Sequence, residues 1–264
     1  MERINSQTIL AKRRSKQRKQ KLVRGLAIVL SLMVIWKFFG SAVTWIRQWQ
    51  SDEVYDVSAE NMSVHSEKEK VPKKFSEAQI TNELSRLSKK NQTYESIYNN
   101  RAKYPTVLLR SLCNNSEMLN FVAGYLTADK SAHGELTKKE CKGKIPLLLQ
   151  WDRRWGYVSY GSSDIGLSGC APTCLSMVIV GLTGNRNATP DKIAEYAQEN
   201  GYYLKGTGTS WSLLTEGASY LGVEGCEISL SKQTVQTALQ QGQPIICSVG
   251  PGDFTTEGHF IVLT

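Results

Sequence analysis

The segment SGCAPTCLSMVIVGLTG, residues 168–184, sets two thiols one helical turn apart at the head of an apolar run. Gly169 allows a sharp turn, Pro172 is pre-set for a first helical turn, and Leu175, Met177, Val178 and Ile179 form a buried helix. Cys170 therefore falls at a helix start. Unpaired backbone N–H groups and the positive end of the helix dipole favour a thiolate there, which a nucleophilic cysteine needs. Cys174 lies one turn further in, past those amides, and is the weaker candidate. The competing reading makes both thiols small buried hydrophobes, the usual fate of cysteine. A nucleophile needs a base, and His259 is the one histidine in residues 144–264. It opens a strand-like run behind Gly258, where an imidazole can face a cleft. A lone histidine at a strand end is ordinarily a surface residue; pairing with Cys170 is what gives it a role. His65 and His133 sit in polar stretches with no evident partner. Three histidines without a CxxC or HExxH pair argue against a metal site, and no GxGxxG or GxxxxGK[ST] run supports nucleotide binding. No cofactor is called for.

These residues need a scaffold. Residues 243–249 (QPIICSV) and 259–264 (HFIVLT) are short apolar runs joined by GPGDFTTEG, which predicts antiparallel strands. Between 169 and 220 the chain reads as helices, opening at Cys170-Ala171-Pro172, after Thr189-Pro190-Asp191 and after Thr209-Ser210. Upstream, Ile80, Leu84 and Leu87 recur at helical spacing, and Tyr94, Ile97 and Tyr98 restart the stripe. Two further short helices are expected, one after Pro105 and one over 118–126 behind an Asn115-Ser116-Glu117 cap. Their stripes are too narrow for a large core of their own, so they are expected to pack on the segment that follows.

The formal net charge of +8 is confined to one end. Residues 1–24 hold nine Lys/Arg and one Glu, leaving 23 of each sign in the remainder; the body is neutral, so the excess charge argues for a role of the tail alone and not for a nucleic-acid-binding domain. Residues 25–46, GLAIVLSLMVIWKFFGSAVTWI, carry Lys37 as their sole charge and as a helix would cross a hydrocarbon core of roughly 30 Å. The basic run before them places the N-terminus in the cytoplasm and the rest outside, giving a single-pass cell-membrane protein. A cleaved signal peptide, with Gly40-Ser41-Ala42 as the processing site, is the alternative.

The run LLLQWDRRWGYVSYGSSDIGLSGCAPTCLSMVIVGLTG, followed by TPDKIAEYA, GTSW, GQPIICSV and GHFIVL, resembles the C39-like family of papain-fold cysteine peptidases over about residues 145–264. A helix-borne cysteine followed by a strand-borne histidine is the chain order of papain-like enzymes. The resemblance implies Cys170 as nucleophile, His259 as general base, and Gln150 as the side-chain donor that joins the Cys170 backbone N–H in the oxyanion hole. Because Gln150 precedes Cys170 by twenty residues, the intervening segment must loop away and return; otherwise Gln150 is an exposed polar residue ending a strand. Ser210 and Trp211 are candidate substrate-binding residues, the alternative being a helix cap with a core tryptophan. Family members continue past GHF(I/V)VL to an Asp or Asn that orients the imidazole. The resemblance thus implies a third residue beyond Thr264 and a C-terminally truncated domain, since neither Asp253 nor Glu257 is a convincing replacement.

The expected fold class is α+β: a papain-like peptidase fold, helices followed by antiparallel sheet, preceded by a transmembrane helix and a small helical subdomain. The boundaries are 1–24 for the basic tail, 25–46 for the anchor, 47–74 for a polar linker, 75–143 for the helical subdomain and 144–264 for the peptidase domain. The expected activity is hydrolysis of a peptide or protein substrate by a membrane-anchored extracytoplasmic cysteine peptidase. Acyl or peptidyl transfer by the same pair, or an inactive tethered binding module, are the alternatives.

Overall fold

Four short helices open the structure, a computed structural model that describes residues 71–142 and 145–264. Helix α1 (Glu77–Ser88) starts with a reciprocal capping box, in which Ser76 accepts from the Gln79 N–H and the Gln79 side chain accepts from the Ser76 N–H. Helix α2 (Gln92–Asn99) is capped by Asn91, α3 (Thr106–Asn114) follows Pro105, and α4 (Leu119–Gly124) continues from a 3-10 turn capped by Asn115. Helix α4 ends at Gly124, two residues short of the predicted Leu126.

The stripes meet in a core. Ile80, Leu84, Tyr94, Ile97, Leu108 and Leu112 are buried together with Phe121 and Val122. The expected dependence on the next segment also holds, because Tyr157 closes that core and Trp151 and Leu167 pack against it. The described residues belong to one compact unit. The basic tail and the proposed membrane segment, 25–46, lie outside the described residues, as does most of the linker. Among the described residues no helix is long and apolar enough to cross a membrane.

The second part is built around one apolar helix. A two-residue hairpin, β1 (Ser159–Tyr160) with β2 (Ser163–Asp164), leads into a single helical turn, α5 (Ile165–Ser168), and then into α6 (Cys170–Thr183). Residues 171–180 of α6 are all buried, and Gly184 ends the helix with φ of +71°, a conformation glycine reaches without a Cβ clash. Helix α7 (Pro190–Glu199) has Pro190 in its first turn and packs along α6. A second small hairpin, β3 (Tyr203–Leu204) with β4 (Gly208–Thr209), precedes a 3-10 turn at Trp211–Leu213 and helix α8 (Glu216–Tyr220). Helix α9 (Lys232–Gln240), absent from the sequence reading, runs into the predicted hairpin, β5 (Ile245–Val249) and β6 (His259–Leu263). These strands pair antiparallel from Ile245 opposite Leu263 to Val249 opposite His259. Ile246, Phe260 and Val262 pack onto the core that Leu175 and Ile179 of α6 anchor. The architecture is α+β: helices with small antiparallel sheets.

Candidate active site

Helix α6 begins at Cys170 because the chain turns sharply at Gly169, whose N–H donates to the Ile165 carbonyl at 2.8 Å. A Cβ at 169 would lie 2.7 Å from that oxygen and 2.9 Å from the Ile165 Cα, so only glycine fits the junction of α5 and α6. Strand β6 lies against α6 and presents the Phe260 N–H to the Cys170 sulfur. His259 is the residue before it. Cys170, His259 and Gln150 all line one cleft of about 360 Å³ between the extended segment 145–151, the first turns of α6, and β6. Among the described residues, no Asp, Glu, Lys or Arg side chain lines it. The Thr173 hydroxyl, one turn along from Cys170 on the same wall, is buried without a hydrogen-bond partner.

Gln150 sits half-buried in a turn, not at the end of a strand. The chain does loop away and return, and the return holds the amide: Gln150 Nε2 donates to the Gly166 carbonyl at 2.9 Å. One of its two N–H groups is used, which leaves the other for a further acceptor. Gly166 is fixed in turn, its N–H bonded to the Gly156 carbonyl at 2.8 Å. Asp164, 2% exposed, caps α5 by accepting from the Leu167 N–H at 3.1 Å and takes the Tyr125 hydroxyl at 2.7 Å.

The electrostatics correct one expectation. The helix-start amides do favour a thiolate, since the N–H groups of Phe260, Ala171 and Cys170 itself all pull the thiol pKa down, yet burial outweighs them and Cys170 lies above its ordinary 9.0. Cys174 is higher, pushed up to about 12 by burial, with Cys170 and Cys247 adding to it. Burial also lowers His259 below its ordinary 6.5. Asp253 and Glu257 are exposed in the β5–β6 connection and neither bonds to His259.

Ser210 and Trp211 do not line this cleft. Ser210 is a cap, its hydroxyl accepting from the Ser212 N–H at 3.3 Å, as one reading had it, but Trp211 is 61% exposed and so not a core residue. The neighbouring Thr209 bonds at 2.7 Å to the hydroxyl of Tyr160, a fully buried ring of the second core. His133 has a partner that the sequence did not reveal: Asp129, at 2.6 Å, four residues back on an exposed loop. All six cysteines are unpaired thiols, and among the described residues no group of three or more His, Cys, Asp or Glu could hold a metal. The sequence reading missed Thr173 and the Tyr125–Asp164 pair. A threonine inside an apolar helix signals the first; the second joins residues 39 positions apart and leaves no local signature.

No curated protein and no solved structure matches the chain. The model of the Peptidase_C39 like family matches residues 142–264, the part of the chain that carries Cys170, His259 and Gln150, and that part is similar to the family's peptidases.

Proposed function

We propose that the protein is a membrane-anchored, extracytoplasmic cysteine peptidase in which Cys170 is the nucleophile, His259 the general base and Gln150 the oxyanion donor. One observation carries this reading: a thiol, an imidazole and a side-chain amide with a spare N–H converge on one cleft from a helix start, a strand start and a turn. The imidazole takes the thiol proton as sulfur attacks the substrate carbonyl. The negative charge that develops on oxygen meets the free Gln150 N–H and the Cys170 N–H. The imidazolium then protonates the leaving amine, and water hydrolyses the thioester. A cleft whose described lining is mostly apolar side chains favours uncharged, apolar residues around the scissile bond. Membrane anchoring rests on the sequence of residues 1–46.

The test is turnover of fluorogenic peptides carrying apolar, acidic or basic residues beside the scissile bond. Apolar peptides should be cleaved, and Cys170→Ala and His259→Ala should each lower kcat by at least 10³-fold. Cys174→Ala should stay within about threefold of wild type. Cleavage that survives in Cys170→Ala would refute the assignment. A wild-type protein that binds apolar peptides without cleaving them would instead be a tethered binding module.

A further inference from the structure

Taking Gln150 as the oxyanion donor, we propose that Tyr125 and Asp164 are positioning residues that hold its amide in place, so that the helical layer outside the family match completes the active site. The connection runs through four links. The Tyr125 hydroxyl donates to Asp164 Oδ2 at 2.7 Å, and Asp164 Oδ1 accepts from the Leu167 N–H at 3.1 Å. Leu167 belongs to α5, and the preceding carbonyl, that of Gly166, receives Gln150 Nε2 at 2.9 Å.

A helical turn of four residues has too few internal hydrogen bonds to define itself, so its cap sets where the Gly166 carbonyl points. The helical layer also braces this peptide from the other side, because a Cβ at 166 would run into the Phe121 ring. Tyr125 and Phe121 both precede residue 142, where the matched segment starts. If the cap rotates, the Gly166 carbonyl moves and the free Gln150 N–H swings off the oxyanion position. Misplacing a catalytic group by about 1 Å can cost on the order of 10²-fold in rate.

Two reactions of the same thiol separate positioning from general damage. p-Nitrophenyl acetate acylates Cys170 through an oxyanion: the S–C bond forms, the C–O bond to nitrophenolate breaks, and the thiol proton passes to His259. Iodoacetamide alkylates the thiolate with loss of iodide and passes through no oxyanion. In the full chain, Tyr125→Phe and Asp164→Ala should slow acylation about tenfold or more and leave alkylation of Cys170, followed by peptide mapping, within twofold. Asp164→Asn keeps an oxygen for the Leu167 N–H and a polar group for Tyr125, and should restore most of the acylation rate. Adding Tyr125→Phe to Gln150→Ala should slow acylation no further, since the two act as one unit. The proposal is overturned if Tyr125→Phe acylates within twofold of wild type, if both reactions fall together, or if the Tyr125→Phe and Gln150→Ala losses multiply. Wild-type protein that is alkylated but never acylated at Cys170 would remove the peptidase reading itself, and this proposal with it.

Discussion

Burial and backbone amides pull the Cys170 thiol in opposite directions. Its sulfur is surrounded by N–H groups from its own turn and from Phe260, yet burial against segment 145–151 and β6 decides the sign. Alkylation of Cys170 by iodoacetamide should therefore keep rising with pH through and above 9.0, whereas a preformed thiolate would react at a constant rate from below neutrality. Acylation should follow the imidazole as well. His259 must be neutral to accept the proton, and its pKa is depressed, so the acid limb of the acylation profile should fall below pH 6.5 and vanish in His259→Ala. A limb above 6.5 would mean a carboxylate near the ring, contrary to the structure. The residue types at the site were legible from the sequence because Gly-Cys-Ala-Pro announces a helix start and Gly-His a strand start. The sign of the thiol shift was not, since it depends on what covers the sulfur, and the covering residues come from two segments distant in the chain.

At the level of elements, the segment that carries Gln150 is pinned at its flank by a charge network. Arg154 bonds the Glu140 carboxylate at 2.6 Å and Asp152 at 2.7 Å, and Thr137 adds its N–H and hydroxyl to Glu140 at 2.8 and 2.7 Å. The Arg154 bond, with help from Thr137, lowers Glu140 from its ordinary 4.5 to about 2. A carboxylate with a lower pKa folded than unfolded contributes stability above its unfolded value, here about 4.5, and loses it as pH falls towards 2. Wild-type protein should lose more stability to urea between pH 5 and pH 3 than Glu140→Gln does, a comparison that equal losses would overturn. Helices α1, α2 and α6 and the β5–β6 hairpin follow from apolar periodicity and turn residues. The elements that escaped bury little or are very short. Helix α9 buries only Ala238, the β1–β4 strands are two residues each, and α5 is a single turn made by its cap.

Across the whole described unit, the two cores share a seam. The Tyr157 ring stacks on Phe121 with centroids 4.6 Å apart, and its hydroxyl donates to the Phe121 carbonyl at 2.8 Å. Gly156 and Gly166 leave the space that Phe121 fills. The limits of a sequence family and those of a folding unit therefore fall at different places in this chain. A protein cut at residue 142 keeps every residue of the cleft but turns Tyr157, Trp151 and Leu167 out into water over a hole the size of a phenyl ring. Such a fragment should behave as a half-molecule. Expressed alone it should bind hydrophobic dyes and fail to acylate at Cys170. Mixed with a separate 71–141 peptide, it should recover a cooperative unfolding transition and regain acylation, as two halves of a split enzyme do when a shared aromatic clasp closes between them. A fragment that folds and acylates unaided would show the seam to be dispensable. Complementation would make the helical layer a detachable activator, a handle by which the proposed activity could be switched on by supplying the missing half.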